Sequence, residues 1–304
     1  MPCKIKICFT WNTPSGVFLL IHTPYIYKKY FNFIIHYVII TCSNTLGGIK
    51  MAKIVAVANQ KGGVGKTTTA VNLVAALGAK GKKILLVDSD PQGNSTSGYG
   101  INKREVEKTS YDIIIGNCAA KDAVIETKFK GVSVIPSGMD LAGAEIELAE
   151  IEKRESRLKN ALVLIGGEYD YIIIDCPPSL GLITLNCLCA SQTVLVPIQC
   201  EFYALEGLSQ LISTVRTVKR MYNPYIDIEG ILLTMFDSRL NLTQQVVDEV
   251  KKCFPKKVYS TFIPRNVRLS EAPSFGEPVM YYDKSSKGAK AYAKLAEEFL
   301  KNNR

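Results

Sequence analysis

The stretch that most constrains this 304-residue chain reads NQKGGVGKTTTAVNLV, beginning at Asn59. The apolar run Ile54–Ala58 precedes it. Ala70, Leu73, Val74 and Leu77 follow it at helical spacing, and Gly81 closes the pattern. A buried strand that feeds a glycine-rich turn, which in turn opens a helix, is the setting of a phosphate-binding loop. Gly62, Gly63 and Gly65, with Val64 between them, let backbone N–H groups turn inward on phosphate oxygens. Lys66 is placed to reach the terminal phosphates. The Thr67 hydroxyl, with Thr68 beside it in the first helical turn, is placed to hold Mg²⁺. One position departs from the pattern G-x-x-x-x-G-K-[ST]. Position 60 is Gln rather than Gly, and a second lysine, Lys61, follows it.

Downstream, apolar runs alternate with helical patterns. Strands are expected at Ile54–Ala58, Ile84–Asp88, Val132–Pro136, Tyr171–Asp175, Val194–Pro197, Ile228–Thr234 and Val258–Ile263. Several are continuous Val/Ile/Leu runs, as in strands buried on both faces of a parallel sheet. Helices are expected at Thr67–Lys80, Leu141–Ile165 and Gly207–Met221. A C-terminal helix is expected to bury Tyr292, Leu295, Ala296, Phe299 and Leu300. This alternation predicts an α/β fold with a doubly wound, mostly parallel sheet and helices on both faces. With no long linker or internal repeat, residues 51–304 are expected to form a single domain.

Two carboxylate motifs belong with the loop. YIIIDCPPSLG ends a buried strand in Asp175, the place of a Walker B aspartate that holds Mg²⁺ through water. ILLVDSDPQGN ends another strand with Asp88 and Asp90. Residues two apart share a strand face, so this pair suits metal and water positioning better than a solvated loop.

The net charge of +9 is spread unevenly. Residues 1–50 hold five lysines and no Asp, Glu or Arg. Residues 51–238 hold 19 basic against 21 acidic side chains, and residues 239–304 hold 13 against 7. The basic C-terminal region suits a polyanionic partner. The nine cysteines include no C-x-x-C pair. Cys187 and Cys189 read as packed thiols, which suits a reducing cytoplasm. Residues 1–50 also hold the only Trp, both histidines and nine of the 27 aromatics. The uncharged run Tyr30–Ile49 has a dense apolar part too short for a membrane span, which needs about 20 residues. The segment has the composition of translated AT-rich non-coding DNA, and Gly47-Gly48-Ile49-Lys50 can be encoded by a ribosome-binding site. The expectation is that Met51 is the native start and that residues 1–50 are an upstream extension outside the fold. Intact mass of the protein from its native host checks it.

KGGVGKTT, VDSDPQGN, DCPPSLG and IPRNVRLSEAPSFGEP together resemble the ParA/Soj chromosome- and plasmid-partitioning ATPases of the deviant Walker A class, over essentially all of 51–304. KGGVGKT alone marks the wider class, whereas IPRNVRLSEAPSFG points to the Soj branch. The resemblance implies a Mg²⁺-dependent ATP hydrolase. It also implies that Lys61 crosses a dimer interface to the partner's ATP, that Lys66 and Asp90 are catalytic, and that Asp90 positions the attacking water. Thr67, Asp88 and Asp175 would serve Mg²⁺. Phe236, Asp237, Pro264 and Arg265 would flank the base. Arg239 and Arg268 would bind DNA without sequence preference. The implied partners are a ParB-type (Spo0J-like) protein, non-specific DNA and a second copy in an ATP-dependent homodimer. The implied location is the nucleoid within the cytoplasm, without stable membrane association.

The main alternative is a MinD-like, membrane-switched ATPase. It needs a basic amphipathic C-terminal helix, whereas the helix here carries Glu297 and Glu298, and MinD proteins lack the IPRNVRLSEAP stretch. An iron–sulfur reductase would need bridging cysteines, but Cys176 sits inside the DCPPS motif beside Asp175, leaving Cys118 alone. A tyrosine-kinase reading wants a terminal tyrosine cluster and finds only Tyr281 and Tyr282. A binding module without hydrolysis is disfavoured because every phosphate-site residue is intact.

Overall fold

The computed structural model describes residues 51–201 and 204–304. The expectation for residues 1–50 lies outside them. In chain order the described elements are β1 (Lys53–Val57), α1 (Lys66–Ala79), β2 (Ile84–Asp88), α2 (Asn94–Gly98), α3 (Ser110–Ile115), β3 (Ile125–Glu126), β4 (Val132–Ile135), α4 (Ala144–Ala149), α5 (Arg157–Val163), β5 (Tyr171–Asp175), α6 (Leu182–Ala190), β6 (Thr193–Gln199), α7 (Ala204–Met221), β7 (Asp227–Thr234), α8 (Asn241–Cys253), α9 (Val267–Glu271), α10 (Val279–Tyr282) and α11 (Lys287–Asn302).

The seven strands form one sheet in the order β3-β4-β2-β5-β1-β6-β7. All neighbours are parallel except β3, which runs antiparallel to β4. Strand alternation sends side chains to two separate cores. Ile54, Ala56, Leu85, Val87, Ile172 and Ile174 face one layer; Val55, Val57, Leu86 and Ile173 face the other. The second layer holds α1 and α11, whose Tyr292, Leu295, Ala296 and Phe299 are buried. At about 25 cal/mol per Å² of apolar surface, large side chains such as Phe299 contribute about 2–3 kcal/mol each on burial. The sheet brings the C-terminal ends of β2, β5 and β1 side by side: Asp175 is in register with Asp88 on one side and Val57 on the other. That edge is where an open α/β sheet offers a ligand crevice.

Three expectations are corrected. Val258–Ile263 is not a strand: Val258 makes one isolated bridge to Ile231 on the edge of β7, and a second bridge follows at Pro264 with Phe236, beyond the strand. Lys257, Tyr259 and Ile263 exchange backbone hydrogen bonds with Ile231 and Leu233. Between them the Ser260 and Thr261 N–H groups are diverted onto the Glu298 carboxylate of α11, at 2.6 and 2.9 Å, so no ladder propagates. Leu141–Ile165 is not one helix. It breaks after α4, where Lys153 takes a left-handed φ of 54°, and restarts at Arg157. The Arg157 guanidinium donates to the carbonyls of Ile114 and Ile115 at the end of α3, fixing α5 independently of α4. The two-residue β3 was not expected, since it is too short for alternation to show.

Candidate functional site

The phosphate loop joins β1 to α1. Gly63 and Gly65 adopt φ of 74° and 87°, a left-handed region costly for any residue with a Cβ. Asn59 fixes the entry to the loop: its Nδ2 donates to Pro197 O on β6 at 2.8 Å, and its Oδ1 accepts from Lys61 N at 3.0 Å. Thr234, at the end of β7, fixes the far side by donating to Val64 O, 2.8 Å away. Thr69 N bonds Gly65 O at 2.9 Å and starts α1, whose first turn holds no acidic residue. The helix's own first turn therefore adds no negative charge to its N-terminal end. Lys66 is buried, and its Nζ donates to the Lys61 carbonyl at 3.0 Å. Burial pulls its pKa down, opposed by the negative charge of Asp175, the nearby Cys176 and Asp90. Lys61 points elsewhere in the single chain, with its Nζ 2.5 Å from Glu201 Oε2 and half exposed.

Asp88, Asp90 and Asp175 are all buried beside the loop. Asp88 Oδ1 accepts from Asp90 N at 3.2 Å, and its Oδ2 accepts from both Thr96 N at 2.8 Å and Thr96 Oγ1 at 2.7 Å. Asp90 sits past the strand end in a tight turn. Its Oδ1 accepts from Gln92 N at 2.9 Å, so that turn, rather than the strand pleat, orients it. Asp175 Oδ2 accepts from Ser95 Oγ at 2.7 Å, while Oδ1 is buried with no hydrogen-bond partner among the described residues. Burial raises the pKa of Asp175, and the Asp88 charge raises it further; the hydroxyls of Ser95 and Thr67 oppose the rise. Burial likewise raises Asp88, against the two hydrogen bonds from Thr96. Two carboxylates forced together in a dry site, one with an unsatisfied oxygen, are the donor set for a hydrated hard cation. With Thr67, they fit Mg²⁺.

The remaining expected residues lie past the end of β7, on two loops and on α9. Phe236 N donates to Ile263 O at 2.9 Å, Phe236 bridges Pro264 in parallel register, and its ring lies 4.6 Å from that of Phe262. Phe236, Asp237, Pro264 and Arg265 are thus brought together. Asp237 is held by Arg239, which donates from Nε at 2.8 Å and Nη2 at 2.6 Å. That guanidinium drives the Asp237 carboxyl down to about 2. Arg268 lies on α9, paired with Glu271 at 2.7 Å and Asp283 at 3.4 Å. Among the described residues the two arginines pair with different carboxylates.

A family model for an AAA domain, AAA_31, matches residues 52–228. The sporulation initiation inhibitor protein Soj of Bacillus subtilis is 58% identical over 252 residues, covering 83% of this chain and 100% of the relative. The chain belongs to the ParA/Soj family of P-loop ATPases. The chromosome partitioning protein ParA of Caulobacter vibrioides is 50% identical over 254 residues, covering 83% and 95% of the two chains. Among solved structures, a cobyrinic acid a,c-diamide synthase of Mycobacterium smegmatis with bound ATP analog and magnesium superposes with a TM-score of 0.72 at 37% identity, over 83% and 97% of the two chains. A cell division ATPase MinD of Pyrococcus furiosus gives 0.69 at 27% identity over 83% and 99%. Four residues of this ParA/Soj site escaped the sequence reading: Asn59, Ser95, Thr96 and Thr234. Each is a small polar residue in or beside a motif whose role is a hydrogen bond that the motif's own spacing does not announce: Asn59, Ser95 and Thr234 reach residues distant in the chain, and Thr96 reaches back to Asp88. The hydroxyls of Ser95 and Thr96, directly after the VDSDPQGN turn, were the signal available.

Proposed function

We propose that this chain is a chromosome- or plasmid-partitioning ATPase that dimerises on ATP, binds DNA without sequence preference and hydrolyses ATP under stimulation by a ParB-type partner. The observation that carries the reading is the convergence of a Lys61/Lys66 loop with Asp88, Asp90 and Asp175 at adjoining strand ends. Lys66, with the N–H groups from Gly62 to Thr68, binds the phosphates of ATP. Phe236, Asp237, Pro264 and Arg265 flank the base. Mg²⁺, held by Thr67 and Asp175 with support from Asp88, supplies charge neutralisation at the phosphates. Asp90 orients the attacking water, and its backbone turn fixes the carboxylate in place. Lys61 supplies a cation to the partner's ATP, which makes dimerisation depend on nucleotide. To do so it leaves Glu201. Arg239 and Arg268 bind the DNA backbone on the nucleoid.

The MinD-like alternative needs an apolar helix face free to enter a bilayer. Here the apolar face of α11 is spent on the core against α1, its Glu297 pairs with Lys80, and no helix among the described residues is long and apolar enough to cross a membrane. ATPase activity with and without duplex DNA, together with binding to DNA and to anionic liposomes, tests the reading. ATP-dependent DNA binding without liposome binding is expected; liposome binding without DNA binding overturns it.

A further inference from the structure

Arg239 presents its guanidinium to solvent, with 85% of its side chain exposed, yet one bidentate edge of it, Nε with Nη2, is already taken. Nε and Nη2 face the two oxygens of Asp237 in the bidentate geometry that would otherwise meet a phosphate, and Arg239 N donates to the same carboxylate at 3.1 Å. Asp237 itself is largely covered. It stands three residues past Thr234, which bonds the phosphate loop, and one past Phe236, which is tied to Ile263 and Pro264. One carboxylate is thus positioned between the base loops on one side and the exposed cation that precedes α8 on the other.

We propose that Asp237 is a shared carboxylate: it occupies Arg239 in the nucleotide-free protein and yields it to the DNA backbone when the exocyclic amine of the nucleotide base takes an oxygen of Asp237. The proposal rests on the proposed function, in which these loops receive the base and Arg239 meets DNA. Its chemistry is a competition. The base amine is a donor that needs an acceptor, and each hydrogen bond it makes to the carboxylate weakens the pull on the guanidinium. The coupling is reciprocal, so whatever ATP adds to DNA affinity through this residue DNA adds to ATP affinity. Arg268 provides an internal contrast. Its partners Glu271 and Asp283 lie on and around α9 and α10, and Glu271 also accepts from the Tyr282 hydroxyl at 3.2 Å. Neither belongs to the loop that follows β7, so Asp237 has no part in the grip on Arg268.

The test measures duplex affinity of the full chain over a salt series, without nucleotide and with a saturating non-hydrolysable ATP analogue, for wild type, Asp237→Asn, Arg239→Ala and the double variant. Without nucleotide, Asp237→Asn is expected to bind several-fold more tightly, with the slope of log K against log salt steeper by about 0.9 for each further DNA phosphate neutralised. The tightening should vanish in the Arg239→Ala background and shrink once the analogue is bound. An inosine-based analogue, which lacks the amine, should fill the phosphate loop without this shrinkage. Glu271→Gln should give the same tightening in both nucleotide states. A tightening that survives in the Arg239→Ala background overturns the proposal, because it reflects only one negative charge removed from the surface. An equal tightening for Asp237→Asn with and without the analogue also overturns it. If Arg239→Ala weakens binding while Asp237→Asn changes nothing, the shared carboxylate fails and the DNA surface stands. If Arg239→Ala has no effect, the DNA surface itself is misplaced and the proposal falls with it.

Discussion

Each side chain at the phosphate site carries a different part of the task, and substitution separates them. Lys66→Ala should abolish ATP binding, read by equilibrium titration, because it removes the buried cation that replaces water at the phosphates; near-normal affinity would reject the site. Asp90→Ala should keep ATP binding and lose turnover by about 10²-fold or more, the range for a positioned acid–base group. Wild-type turnover would show that another group orients the water. Lys61→Ala should still bind ATP as a monomer, since Lys66 and Thr67 remain, but fail to dimerise with ATP in an Asp90→Ala background. Light scattering reads this directly. Asp175 has a pH consequence. Its folded pKa is raised above the unfolded value, chiefly by burial, so between the two values the folded state binds more protons than the unfolded one. Stability of the ATP-free, Mg²⁺-free protein should therefore fall as pH rises from about 4 through the raised folded value. Asp175→Asn should flatten that fall in melts recorded across the pH range. A wild-type curve that rises through the same window would contradict the assignment.

Among the elements, α11 shows how one helix serves several neighbours. Ser286 caps it by accepting from Ala289 N at 3.1 Å, and its buried face closes the layer over α1 through Tyr292, whose hydroxyl lies 3.2 Å from Thr69 Oγ1. From the opposite side Glu298 takes two amide N–H groups out of the edge of the sheet. Replacing Glu298 with Ala leaves those amides to water or to an incomplete ladder. A charged acceptor of this kind contributes about 1.5–3 kcal/mol when buried, and the partial exposure here points to the low end. Urea unfolding should show a loss of about 1.5 kcal/mol. No loss would mean that the Ser260–Thr261 amides find equal partners elsewhere. The same hydrogen bonds explain why the apolar pattern at Val258–Ile263 promised a seventh strand, after that at Ile228–Thr234, that does not form. The spacing of Val, Phe and Ile reports burial, and burial here comes from packing beside β7 with backbone pairing only at Ile231 and Leu233. In Leu141–Ile165 the helical spacing was real on both sides of the break, and the break was decided by Arg157 reaching α3.

For the molecule as a whole, the uneven charge matters more than the total. The basic excess beyond residue 239 includes Arg239 and Arg268, and in a symmetric dimer the pair becomes four. Replacing both should weaken duplex binding and flatten the slope of log K against log salt by roughly 3 to 4 units, at about 0.9 per phosphate neutralised. The loss should be similar for unrelated duplexes, because backbone contacts carry no base information. ATP-driven dimerisation should survive, since neither arginine belongs to the phosphate loop. An unchanged slope would move the basic surface to the lysines from 251 to 257 or to Lys284, Lys287 and Lys290.

What the sequence determined by itself is whatever is encoded locally. The glycine spacing of the phosphate loop, the carboxylates at strand ends and the continuous apolar runs each need only their neighbours, and they set the α/β class and the phosphate site without any knowledge of tertiary packing. The tertiary structure alone decided what depends on partners far apart in the chain. It set the register that puts Asp88 beside Asp175, and it brought Ser95 onto the Asp175 carboxylate. It also braced the loop through Asn59 on Pro197 and Thr234 on Val64, and turned Lys61 toward Glu201. A hydrogen bond across the sheet leaves no periodic trace, because its two ends are selected by where the strands lie and not by the residues that flank them.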